Sequence, residues 1–158
     1  MNTTAEPAEF VEALASAETA TFRPELRVFE TAAPEGLAPF QRAWAADVEP
    51  SAATDDHEYG TGRLVFLCDP HAPEAWSSVY RMVVFAQAPI DQDMGSDQFL
   101  PDVAWSWLMD ALDTREAQYR RPAGTTTTVL STGFGDLASE GSGAQVEVRA
   151  SWSPTSAQ

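Results

Sequence analysis

The residue types that most often do chemistry are sparse in this chain, and each grouping of them lacks a member. Cys68 and His71 stand at a Cys-x2-His spacing, and His57 lies shortly before the same apolar stretch. Three such groups, with no second Cys-x2-Cys or His-x3-His pair, do not close a tetrahedral zinc shell. They are also the only thiol and imidazoles available as a nucleophile and base. Cys68, however, ends the apolar run Arg63-Leu-Val-Phe-Leu-Cys68, where burial raises a thiol's pKa and suppresses the reactive thiolate. Asp91, Asp93 and Asp97 match positions 1, 3 and 7 of a calcium loop, but Gly95 replaces a ligand, Ser96 replaces the turn glycine and Asp102 replaces the bidentate Glu. The pairs Gly60/Gly62, Gly133/Gly135 and Gly141/Gly143 never extend to a dinucleotide loop, and with no lysine there is no phosphate loop. Neither is there a Gly-x-Ser-x-Gly elbow. No catalytic set, metal or cofactor is expected. The remaining ligand candidates are Arg63 and Arg81, which interrupt otherwise apolar strands; a buried guanidinium needs an acid partner or an anionic ligand.

The charge balance narrows the partners. The 158 residues carry 24 acids against nine arginines, a net charge of −15. Residues 1–60 hold twelve of the acids against three arginines, and residues 89–113 hold six against none. A field of that sign repels phosphate backbones, so direct nucleic-acid binding is not expected. The acidic segments read as solvated faces or as docking faces for a basic protein. No apolar run reaches membrane-spanning length and the first residues do not resemble a secretory signal, so a cytoplasmic setting is expected.

These residues must be positioned by elements whose periodicity is visible. Apolar residues at three- and four-residue steps predict a helix over 7–20, and alternation predicts a strand over 25–30. Leu37, Phe40, Trp44 and Val48 predict a short helix over 37–47, followed by an acidic loop over 49–62. Residues 63–68 and 79–86, apolar on both faces, read as central strands. The strongest helix is expected over 102–118, strands over 125–131 and 144–152, and a Gly/Ser-rich loop over 133–143. The order predicts one α+β domain over 7–154 with disordered ends: a two-layer sandwich in which helices lie on one face of an antiparallel or mixed sheet of about five strands. On the long helix, apolar side chains spread over roughly 240°, more than one sheet covers. Trp105 and Trp107 fall about 160° apart, so only one of them can face the sheet. Trp105, Trp107 and Met109, with Asp91, Asp93 and Asp97 just before them, are the candidate interaction residues. The partner is expected to be another protein or a second copy of this chain, as in a non-catalytic interaction or chaperone-like module. The alternative is a small-molecule-binding protein or an enzyme of unrecognised class, with Arg63 and Arg81 as its working groups.

Four segments carry a family resemblance: Phe22-Arg-Pro-Glu25, Gly60-Thr-Gly-Arg-Leu-Val-Phe-Leu67, Leu100-Pro-Asp-Val-Ala-Trp-Ser-Trp-Leu108 and Val148-Arg-Ala-Ser-Trp-Ser-Pro154. Together they resemble an actinobacterial family of unknown function, domain-of-unknown-function family 3000, over about residues 20–154. The resemblance implies a lineage and a cytoplasmic setting, and no activity, cofactor or catalytic residue. In element order alone the chain is similar to type III secretion chaperones and their YbjN-like relatives, which implies a dimer built on the long helix. The competing order is ferredoxin-like, and it requires the helix at 37–47.

Overall fold

The computed structural model describes residues 5–48, 60–140 and 142–158. His57 and most of the loop expected over 49–62 lie outside the described residues. The elements run in chain order: Ala8–Glu18 (α1), Leu26–Thr31 (β1), Phe40–Val48 (β2), Thr61–Cys68 (β3), Tyr80–Ile90 (β4), Gln92–Gly95 (α2), Leu100–Thr114 (α3), Tyr119–Thr132 (β5), a 3-10 turn at Gly135–Glu140, and Ser142–Pro154 (β6). The six strands form one open sheet in the order β1-β2-β3-β4-β6-β5. Every neighbouring pair is antiparallel.

The expected helix over 37–47 is a strand instead. Phe40, Trp44 and Val48 are four residues apart, a spacing that fits one face of a helix and equally the even-numbered face of a strand. Tertiary pairing decides between them: Trp44 sits opposite Leu64 of β3 and Glu30 of β1, so residues 40–48 bridge two strands. Leu37, the residue that suggested helical phase, precedes the strand and is half exposed. The change makes six strands of the expected five. It also removes the helix on which the ferredoxin-like order depends.

All the helices lie on one face. Phe10 of α1 is fully buried and stacks on Phe66 with ring centroids 5.8 Å apart; Phe40, Tyr80 and Cys68 complete the cluster. Burying one such ring is worth about 1.5–3 kcal/mol. Arg42 pins the start of the same helix, with its guanidinium 2.8 Å from the Glu6 carboxylate and 5.5 Å from the Phe10 ring centre. At the other end of the sheet, Leu100 and Ala104 of α3 pack on Val146, Val148 and Ile90. The opposite face is covered only in part, where Ala33, Ala38 and Trp76 from two loops pack over Ala43, Val65 and Leu67. At the C-terminal end the Thr155 N–H donates to the Gln118 carbonyl, and Ala157 packs beside the Phe10 cluster. No helix among the described residues is long and apolar enough to cross a membrane.

Candidate functional site

Helix α3 has too many apolar residues for the strands it covers, and the structure shows where the surplus goes. Trp105 turns inward over β5. A Cβ built on Gly124 would lie 2.7 Å from the Trp105 ring and would collide with the Arg149 carbonyl, so only glycine lets the indole rest on the strand. Trp107 points the other way and is 50 % exposed, with Phe99 at 61 % and Val103 at 40 %. These three are four residues apart, so they form one apolar stripe along the outer side of α3. Ser106, Asp110 and Asp113 run along its edge at 100° per residue. The wet side of the helix is thus both apolar and acidic.

Met109 is partly buried, with the Tyr119 hydroxyl 4.0 Å from its sulfur. That hydroxyl donates to Asp113 Oδ1 at 3.0 Å, and the hydrogen bond to the carboxylate holds the Tyr119 pKa above its ordinary value. Of the acids before α3, Asp91 begins the single turn of α2, Asp93 stands exposed within it, and Asp97 Oδ1 accepts from the Phe99 N–H at 2.8 Å. Among the described residues no three His, Cys, Asp or Glu side chains come together as a metal-binding group. Three exposed apolar residues close to this end, Leu130, Phe134 and Leu137, were not singled out from the sequence.

A second feature lies under α1. Phe10 and Leu14 pack α1 against the sheet, but beside them the cleft is lined only by the small residues Ala13, Ser16 and Ala17 of the helix and Ala20 just past its end. Small residues cannot reach the floor formed by Val28, Trp44, Leu64 and Met82, which leaves a cleft of about 490 Å³ with almost wholly apolar walls.

The remaining candidates sit elsewhere. The Cys68 thiol is buried, pushed up to about 11 by burial first and then by Glu9 and Asp69, and is inert at neutral pH. His71 is exposed, and its backbone N–H donates to Asp69 Oδ1. Arg63 is exposed on the loop-covered face and donates to the Ala32 carbonyl at 2.9 Å. Arg81 is half-buried on that face, where it donates to Ser153 Oγ at 2.8 Å and Ser151 Oγ at 2.7 Å. It also donates to the Arg121 carbonyl at 2.9 Å.

The fold and these surfaces describe an α+β protein with an open antiparallel sheet, helices on one face, and apolar surface left uncovered. The model of a family described as a protein of unknown function (DUF3000) matches residues 6–158. The chain belongs to that family. No curated protein and no solved structure matches it.

Proposed function

We propose that this chain is a non-catalytic protein-interaction module in which α3 receives the apolar face of a basic amphipathic segment from another protein. One observation carries the reading: Phe99, Val103 and Trp107 form a continuous exposed row bordered by carboxylates. Trp is the residue most enriched where binding energy concentrates, and acids along the edge favour a partner rich in Lys and Arg. The same acids disfavour a second copy of the chain, because a two-fold dimer across the stripe would set Asp110 and Asp113 of one copy against those of the other. The likeness to secretion chaperones stays within this proposal, as a small acidic chain that holds a segment of a partner.

The test is a helical peptide with leucines at four-residue spacing and flanking lysines, compared with the same peptide bearing glutamates. The lysine peptide is expected to bind and to lose its binding to the Trp107→Ser protein, while sedimentation shows the unliganded chain as a monomer. Equal binding of both peptides, or a stable dimer, counts against the reading.

A second reading, supported by the cleft beneath α1, is a carrier of a small apolar molecule, since about 490 Å³ falls within the usual range of ligand pockets. Native mass spectrometry of the gently purified protein decides it: a retained small molecule favours the carrier, and the bare chain mass opposes it.

A further inference from the structure

Pro122 has no N–H to give to the ladder between β5 and β6, and the pairing slips between Arg120 and Ala123. The bulge puts Arg121 at φ 52°, in the left-handed region that a residue with a side chain seldom adopts. Ser77, on the loop facing it, is held at φ 53°. These two strained residues touch: Arg121 Nε donates to Ser77 Oγ at 2.9 Å, and Arg120 donates to the Ser77 carbonyl at 3.2 Å. The Arg121 carbonyl in turn accepts from Arg81. Strain of this kind persists where the surroundings hold a side chain for a purpose, and bulges commonly re-aim side chains beside functional sites.

The bulge therefore gathers three guanidinium groups on the face opposite the helices. The ion pairs among the described residues are Arg23–Glu25, Arg42–Glu6 and Arg42–Glu30, all remote from this corner. In a chain of net charge −15, three cations with no carboxylate within ion-pair distance among the described residues are not placed by average composition. Burial, and then the neighbouring Arg121, lower the Arg81 pKa from its ordinary value, as expected of a cation facing another cation. Arg81 spends three of its five N–H donors on Ser151, Ser153 and the Arg121 carbonyl. From Ser151 a shallow concavity of about 440 Å³ continues along Val83, Phe85, Ala123 and Thr125. At its far end Arg149 lies over the Phe85 ring, 5.1 Å from its centre.

We propose that this corner binds a small organic phosphate, with the phosphate held by Arg81, Arg120 and Arg121 and the organic part laid over Val83, Phe85 and Ala123. Several guanidinium forks favour a dianion over a monoanion and match the oxygens of a phosphate. The net negative charge limits the ligand to a small molecule, since a polyanion would meet the acidic remainder of the surface.

The experiment is a titration with phenyl phosphate, read on the arginine Nε–H resonances, with inorganic phosphate and benzoate as separate arms. Phenyl phosphate is expected to saturate and to shift the Arg81 and Arg121 signals. Inorganic phosphate shifts the same signals but binds more weakly, and benzoate binds more weakly still. Arg121→Gln, an exposed change that leaves the core intact, weakens phenyl phosphate roughly tenfold, the loss expected for one charge-assisted hydrogen bond. Arg115→Gln, which removes the same charge from the end of α3, leaves binding unchanged. Absence of saturable shifts, benzoate binding as tight as phenyl phosphate, or equal weakening by Arg115→Gln would each overturn the assignment.

Discussion

The outer side of α3 and the bulged corner of β5 both present groups without their usual partners, and they do so in opposite ways. Along α3 the uncovered groups are apolar and their neighbours are carboxylates. At the corner they are guanidinium groups whose hydrogen bonds run to serine hydroxyls and backbone carbonyls. The contrast shows that the net charge of −15 is a sum over segregated surfaces, and that a whole-chain charge describes neither of them.

Substitutions sharpen this contrast, and their expected effects fall in order. The largest is Phe10→Ala, which empties the ring cluster holding α1 to the sheet. It is expected to cost about 3–5 kcal/mol in urea unfolding while leaving the α3 stripe intact in the molecules that stay folded. Next, Trp107→Ser should weaken a basic partner peptide by about 2 kcal/mol or more. The same change should alter folding stability by no more than about 0.5 kcal/mol, because the side chain is half exposed. A fall in stability with binding preserved would make Trp107 a core residue and erase the contrast. Gly124→Ala drives a methyl into the Trp105 ring and the Arg149 backbone, with an expected loss of about 1–3 kcal/mol.

The smallest effect is a pH dependence. The Cys68 thiol sits at about 11 in the fold against 9.0 ordinarily, so folding favours its neutral form. That stability is complete below pH 9 and is lost as the pH rises toward about 11, the unfolded chain releasing its proton first. Urea midpoints should decline over this window, and less so in Cys68→Ala after allowance for its lower baseline. Tyr80, whose pKa burial raises, and Tyr119, whose pKa the hydrogen bond to Asp113 raises, contribute to the part of the decline that remains.

Much of this was legible in the residues, for identifiable reasons. The runs at 63–68 and 79–86 are apolar on both faces because helices cover one side and loops part of the other, so their central position could be read directly. The surplus on α3 was also readable, as was the opposition of its two tryptophans. Which of them faces the sheet depends on Gly124, nineteen residues on from Trp105 and without a side chain to signal it. Residues 40–48 misled because a four-residue spacing serves both periods, and only pairing with β1 and β3 separates them. Arg81 was visible as an oddity in an apolar strand. Its neighbours Arg120 and Arg121 were not, although Arg-Arg-Pro in a strand is the signal that could have found them. Ser151 falls on the polar side of the alternation over 144–152 and Ser153 lies just past that strand's expected end, yet Ser153 is fully buried beneath Arg81.

The most direct test of the central claim places a photoreactive residue at Val103 and irradiates the protein in the cells that make it. The account predicts a covalent adduct to a Lys- and Arg-rich segment of another protein, abolished by Trp107→Asp. An adduct to a second copy of this chain, or no polypeptide adduct at all, would contradict it.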